Sequence, residues 1–211
     1  MGGANLILDP ETMISMANFG MLSPDGKCYS FDQRANGYAR GEGFGVVIVK
    51  RLSDALTDRD TIRAIIRATG ANQDGKTAGI THPSGSAQER LIRDTYREAG
   101  LALKVTRYFE AHGTGTRTGD PIEASAIAAA FHDQRLQGDP LFIGSVKSNL
   151  GHLEGASGIA GLIKTILVLE KGLIPPNIWF DNANSRIQEE DWNIKVHLQP
   201  SSSRSLLTGV S

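Results

Sequence analysis

Val105-Thr106-Arg107-Tyr108-Phe109-Glu110-Ala111-His112-Gly113-Thr114-Gly115-Thr116 decides how this chain folds. The stretch from Val105 to Glu110 is rich in β-branched and aromatic residues and reads as a strand. Small and hydroxylated residues then surround one histidine, the composition of a tight turn that holds an imidazole in a narrow space. Asp120-Pro121-Ile122-Glu123 follows and opens a helix, with Asp120 as N-cap and Pro121 in the first helical position. The same grammar then repeats. Leu141 to Val146 reads as a strand, and Lys147-Ser148-Asn149-Leu150-Gly151-His152-Leu153-Glu154-Gly155 delivers a second histidine among small residues. A helix from about Gly155 to Lys171 comes next, with Ile159, Leu162, Ile163, Ile166 and Leu169 as its apolar side and Gly172 as its stop. Gly155, Ala156, Gly158, Ala160 and Gly161 keep its first turns thin enough to lie against backbone. Strands alternating with helices predict an α/β fold, a parallel or mixed sheet with helices on its faces. In such sheets functional groups collect at the carboxyl ends of strands, where both histidine turns fall.

Upstream, Ser86-Ala87-Gln88-Glu89 has the form of a capping box. Leu91, Ile92, Thr95 and Tyr96 give the helix that follows a buried stripe, and Gly100 ends it. Ile62 to Ala68 reads as a further strand. Gly37 to Gly45 is glycine-rich and leads into Val46-Val47-Ile48-Val49, an apolar run typical of a strand covered on both faces. Ala4 to Leu8 reads as a strand standing almost at the first residue, so further sequence upstream is expected. From His197 onward the chain loses periodicity and turn signals, and residues 197–211 are expected to be a disordered tail.

The whole is 211 residues with a formal net charge of −1, which gives no electrostatic case for nucleic acid or for an anionic membrane surface. The apolar run Gly158 to Leu169 is broken by Lys164 and is shorter than the ~20 residues needed to cross a bilayer. No secretory signal is visible. Cys28 is alone, so no internal disulfide forms and a reducing, cytoplasmic compartment is the expectation.

The chemistry therefore rests on His112 and His152. A metal centre would need a third ligand; Asp120, Glu110 and Glu154 are the available carboxylates, but no recognised ligand spacing frames them, and no metal is expected. The Gly113 to Asp120 loop lacks the Gly-Lys-Ser/Thr ending of a nucleotide phosphate loop. Thr114 and Thr116 instead offer hydroxyls to line a polar tunnel for an amide-bearing or phosphate-bearing ligand. A lysine at position 147, in an apolar pocket, needs a carboxylate, with Glu123 and Glu154 as candidates. Cys28 sits in a polar turn with no elbow to raise a thiol towards a carbonyl, and is read as an ordinary residue.

Several of these motifs together resemble the β-ketoacyl synthase (ketosynthase) domain of polyketide synthases, most of all the fungal iterative, highly reducing type. The resemblance rests on Gly2 to Leu8, Gly20 to Gly26, Phe31-Asp32 through Gly37 to Gly43, Asn72-Gln73-Asp74-Gly75, both histidine turns and Gly119 to Glu123. It implies a thiolase-like fold: two related halves, mixed β-sheets layered with α-helices, usually in a homodimer, an assembly not expected of this piece alone. It implies a reaction too. An acyl chain waits as a thioester on a cysteine, and a malonyl thioester arrives on the phosphopantetheine arm of an acyl carrier protein. Two histidines then help expel CO₂ and stabilise the enolate that attacks. Carried over, His112 and His152 take those catalytic roles, Lys147 orients the histidine turn, and Thr114 and Thr116 contact the phosphopantetheine arm. No cofactor is bound directly.

The same resemblance sets expectations about what this sequence lacks. The family's nucleophilic cysteine belongs upstream of the Ala4 strand, and the last strands of the second half belong beyond residue 196. On that reading residues 1–60 are a remnant of the N-terminal half, and residues 61–196 are the C-terminal half without its last strands. The chain is then an incomplete, truncated ketosynthase, inactive in condensation by itself because no acyl-enzyme forms without the thiol. Two alternatives stand beside it: a stand-alone malonyl-thioester decarboxylase, and a non-catalytic module that pairs with a full-length synthase.

Overall fold

The structure, a computed structural model, describes residues 1–79, 82–136, 138–196, 201–202 and 207–210. In chain order it forms β1 (Gly2–Asn5), α1 (Pro10–Asn18), β2 (Gly43–Val46), α2 (Leu52–Thr57), α3 (Gly85–Ala99), β3 (Thr106–Glu110), α4 (Gly119–Phe131) and β4 (Leu141–Gly144). There follow α5 (Lys147–Leu150), α6 (Ser157–Lys171), β5 (Leu173–Ile174), β6 (Ile194–Val196), β7 (Ser201–Ser202) and β8 (Leu207–Val210). The centre is a four-stranded parallel sheet in the order β6-β4-β3-β8. β1 and β2 pair antiparallel beside it, as do β5 and β7.

The side-chain period of two explains how the inner strands serve two layers at once. Phe109 from β3, Leu141 and Ile143 from β4, and Ile194 and Val196 from β6 point to one face. There they meet Ala124, Ile127, Ala128 and Phe131 of α4. Tyr108 and Phe142, one residue out of step, point to the other face, against Val168 of α6 and Ile174 of β5. Four buried alanines of α4, Ala124, Ala126, Ala128 and Ala130, let that helix lie close to the sheet, while α3 adds Ile92 and Tyr96 to the same cluster.

Several expectations are corrected. β1 lies at Gly2–Asn5 rather than Ala4–Leu8, and β2 at Gly43–Val46 rather than Val46–Val49. Their mutual register, Gly2 opposite Val46, brings the glycine end of the second segment into the ladder. Ile48 is then 97% exposed rather than covered on both faces. Ile62 to Ala68 forms no strand, because among the described residues no ladder partner lies alongside it, and β-branched composition does not replace one. The N-cap of α3 is Ser84, which accepts from Ala87 N, and Glu89 pairs with Arg93 instead of closing a capping box with Ser86. Gly100 does end α3, in the left-handed region at φ 64°.

The helix after His152 begins at Ser157, after a short 3₁₀ turn, and its buried face is not the predicted one. Ser157, Gly161, Thr165 and Val168 face inward. Ile159 and Ile163 flank β2, where a Cβ on Gly45 would lie 2.6 Å from the Ile159 Cγ2. Residues 197–200, 203–206 and 211 lie outside the described residues. The rest of the expected disordered tail is ordered strand: Ser201–Ser202 pairs with Leu173–Ile174, and Leu207–Val210 joins β3 in the central sheet.

Candidate active site

Both histidine turns leave the carboxyl ends of the two inner strands. The backbone of the first is held by two buried carboxylates from α4. The Glu123 carboxylate accepts from His112 N (2.7 Å) and from Gly113 N (2.8 Å). The Asp120 carboxylate accepts from Gly115 N (3.1 Å), Thr116 N (3.2 Å) and Phe31 N (2.7 Å). Asp120 is therefore not the N-cap of α4; that position is Thr118, and Asp120 inside the first turn turns its side chain back on the loop. Burial pushes its carboxyl up to about 7, against N–H donors that favour the ionised form. Ser30 Oγ donates to Gly113 O (2.5 Å) and Ser145 Oγ to His112 O (3.0 Å), so both neighbouring segments grip the turn. Gly115 stands at φ 83°, and a Cβ there would come within 2.7 Å of Tyr29 N, which is why the turn needs glycine.

The second turn is tied to the first through Glu110, the last residue of β3. This carboxylate, 2% exposed, accepts from Val146 N (2.6 Å) and from the Tyr108 hydroxyl, and forms an ion pair with Lys164 of α6 (2.7 Å). The lysine that looks like an interruption of an apolar helix is thus the counter-ion of the strand end between the two turns. Lys147, 4% exposed, opens α5. Burial lowers its pKa, while Glu123 first and Glu110 next support its charge. Glu123 is thus the supporting carboxylate. Glu154, the other sequence candidate, faces Arg40 (3.8 Å) and His152 Nδ1 (4.0 Å).

The His152 backbone is locked on both sides: its N–H donates to Ala39 O (2.7 Å) and its carbonyl accepts from Gly41 N (2.9 Å). Its ring is fixed as well. Nδ1 accepts from Glu154 N (2.9 Å) and lies 3.1 Å from Ser157 Oγ. A nitrogen that accepts a backbone N–H carries no proton, so in the neutral ring the proton sits on Nε2. The two imidazoles meet edge to face, ring centres 5.3 Å apart, and Tyr38 packs 5.1 Å from His152 on another side. Burial, then the charges of Lys147, His112 and Arg40, depress His152 to about 4. Crowding and then Lys147 push His112 to about 4 as well, although the His112 ring is open to solvent on its outer side. Both rings are neutral at pH 7.

Thr114 is buried and donates to Thr116 Oγ1 (3.3 Å), which also accepts from Gly119 N (3.2 Å). A cavity of about 190 Å³ opens beside His112 and Thr114, bounded by Pro83, Gln88, Gly119, Asp120 and Glu123. Cys28 is 1% exposed; its Sγ accepts from Ala39 N (3.2 Å), and burial pushes its thiol pKa up. That is the environment of a packing residue, although it lies closer to the histidine turns than its polar turn implies. Among the described residues no group of three or more His, Cys, Asp and Glu side chains is placed to hold a metal ion, and no helix is long and apolar enough to cross a membrane. Of the five site residues read from the sequence, the structure brings His112, His152, Lys147 and Thr114 together at the strand ends, with Thr116 bonded to Thr114. Sequence reasoning missed the roles of Glu110, Lys164 and Asp120. A carboxylate ending a buried strand and a lysine on an apolar helix face were the available signal.

Residues 1–55 match the family described as Beta-ketoacyl synthase, N-terminal domain, and residues 63–181 match Beta-ketoacyl synthase, C-terminal domain. The chain belongs to the β-ketoacyl synthase family. It is 58% identical over 198 residues to highly reducing polyketide synthase 40 of Fusarium mangiferae, and 56% identical over 200 residues to a highly reducing polyketide synthase of Pyricularia oryzae. These alignments take in 94% and 95% of this chain but only 8% and 7% of those proteins. Among solved structures it resembles the ketosynthase from module 6 of the bacillaene synthase of Bacillus subtilis (TM-score 0.91, 44% identity). It also resembles an oxazolomycin ketosynthase domain from Streptomyces albus (TM-score 0.91, 36% identity). Each match covers 95% of this chain and about 36% or 35% of the other. The thiolase-like fold implied by the sequence motifs is the fold observed, and the sequence is that of part of a ketosynthase domain.

Proposed function

We propose that this chain carries the histidine half of a condensing site, in which His112 and His152 stabilise the enolate formed when a malonyl thioester loses CO₂. The observation that carries the reading is the neutral imidazole pair, with the His152 proton held on Nε2 by the Glu154 N–H on Nδ1. Decarboxylation moves an electron pair from the breaking C–C bond onto the thioester oxygen. Preorganised neutral imidazole N–H donors stabilise charge at that oxygen. Lys147 acts as a positioning residue whose charge acts on both rings, and Thr114 and Thr116 line the path of the phosphopantetheine arm. In the complete domain the enolate attacks an acyl thioester on a cysteine, giving decarboxylative Claisen condensation with acyl carrier protein as the partner that delivers the extender. Cys28, buried and raised in pKa, does not serve as that nucleophile. Separate family matches on either side of residue 60 support reading residues 1–60 and 61–196 as pieces of two halves.

A second reading, a stand-alone malonyl-thioester decarboxylase, is favoured by the same preformed histidine pair, since CO₂ loss needs no thiol. One experiment separates them. Malonyl-pantetheine labelled in its free carboxyl is incubated with the chain alone, and with the chain plus a cysteine-bearing ketosynthase segment from the Fusarium mangiferae relative. Label released only in the mixture supports the half-site, and release by the chain alone supports the decarboxylase. In either case His112→Ala and His152→Ala abolish release. Equal release by wild type and His112→Ala refutes both.

A further inference from the structure

The cavity beside His112 and Thr114 contains an unanswered hydrogen-bonding group. Gln88, in the first turns of α3, is one of its walls, and the Gln88 Oε1 is buried with no hydrogen-bond partner among the described residues. A buried amide end is costly to leave unmade, and such an orphan in a native site calls for an explanation. Local helix geometry does not supply one. The start of α3 is already capped by Ser84, and the Gln88 N–H is satisfied by Ser84 O (3.0 Å), so the side chain is not needed to close the helix.

The remaining walls say what would answer it. Asp120 and Glu123 are carboxylates, so a phosphate or another anion is repelled from this slot. Both already accept from the backbone of the histidine turn, so neither is placed to make a strong cation site. Thr114 offers a hydroxyl, and Pro83 and Gly119 are without side-chain polarity. At about 190 Å³ the space suits a segment of extended chain rather than a whole cofactor. A neutral chain that carries an amide between methylene groups fits these terms. An amide also fits whichever way the Gln88 side-chain amide is turned, because it offers an N–H to an oxygen and a carbonyl to an NH₂.

We propose that Gln88 is a recognition residue for the amide of a pantetheine arm, binding it in the cavity that Gln88 shares with His112 and Thr114. This rests on the functional reading above, which brings such an arm past Thr114; it adds the group that distinguishes an amide-bearing arm from a plain alkyl thioester.

The test measures binding by ligand-observed NMR titration of the full chain, with S-acetyl-pantetheine as one probe and S-hexyl thioacetate, which has no amide, as the other. Gln88→Met keeps length and volume and removes the amide. It is expected to weaken S-acetyl-pantetheine about tenfold, the scale of one buried hydrogen bond, and to leave S-hexyl thioacetate unchanged. Gln88→Asn, which keeps an amide one methylene shorter, is expected to fall between wild type and Gln88→Met, and serves if the methionine variant fails to fold. Full pantetheine affinity in Gln88→Met, together with loss in Thr114→Val, overturns the role of Gln88 and leaves the functional reading standing. Failure of wild type to bind S-acetyl-pantetheine at all overturns both.

Discussion

His152 should remain neutral, with its proton on Nε2, far below the pH at which a free imidazole titrates. The perturbation is a simple fall in pH. An ordinary histidine has a pKa of 6.5, and this one is depressed to about 4, first by burial and then by the charges of Lys147, His112 and Arg40. The sign follows from linkage. Because the folded pKa is lowered, the folded ring stays unprotonated through a range in which the unfolded ring takes up a proton, so stability falls as pH drops from about 6.5 towards 4. The contribution is intact above pH 6.5. Each pH unit in that window costs about 1.4 kcal/mol, which makes the His152 share at most ~3 kcal/mol by pH 4. His112 adds a smaller amount in the same direction, because its outer side is open to water.

The assay is histidine-selective ¹⁵N-labelling with a pH titration of the ring resonances from 8 to 4. The expected result is a His152 Nε2–H tautomer with no midpoint above pH 5, and a lower apparent melting temperature on acidification. Lys147→Met removes the second cause of the depression and moves the His152 midpoint upward, while burial keeps it below 6.5. A His152 ring that titrates near 6.5, or that carries its proton on Nδ1, refutes the reasoning. It would mean that the Glu154 N–H does not fix the ring and that the pair is not preset for an oxyanion.

Lys164→Met strands the buried Glu110 charge and is expected to cost about 3–5 kcal/mol, whereas Glu110→Gln with Lys164→Met recovers most of it; apparent melting temperatures of the two variants check this, and equal losses contradict the pairing. Gly115→Ala forces a side chain into the left-handed region and onto Tyr29 N, so soluble yield should collapse, while Gly26→Ala, also at positive φ but with nothing within 4 Å, should stay soluble. Phe44 (85% exposed) and Ile48 (97% exposed) leave apolar surface around β2, so light scattering should show self-association of the chain that Phe44→Ser with Ile48→Lys reduces. A wild-type chain that stays monomeric at high concentration contradicts that expectation.

The central strands and the histidine turns are legible in the sequence because local chemistry and tertiary role agree there. β3 and β4 place aromatic or aliphatic side chains on both faces and sit inside the sheet; Gly100 closes α3 because it takes the left-handed conformation a C-cap demands. Where the two part, the reading shifts or fails. Ile62 to Ala68 has strand composition but no partner among the described residues. Five aliphatic residues of α6, Ile159, Leu162, Ile163, Ile166 and Leu169, form a convincing stripe, yet the helix buries Gly161, Thr165 and Val168 instead, because a close approach is required there and small residues permit it. Asp120 before Pro121 has every mark of an N-cap. It is diverted because three backbone N–H groups of the loop and of Phe31 would otherwise be buried without partners. A sequence reports what a residue can bond, not which competing donor is most expensive to leave unsatisfied.

That competition also bears on how a site with three carboxylates close by fits the proposed reaction, which builds negative charge. Glu123, Asp120 and Glu110 are each bonded to main-chain N–H groups, and Glu110 is further neutralised by Lys164. Their oxygens are taken up by main-chain N–H groups, so they set the shape of the turns. Beside them stands the pair of neutral imidazoles, edge to face, with burial and then the Lys147 charge holding both pKa values down. The bonds that hold the loop in place and the electrostatics that suit it to an oxyanion are therefore one arrangement, and a substitution that loosens the first also degrades the second.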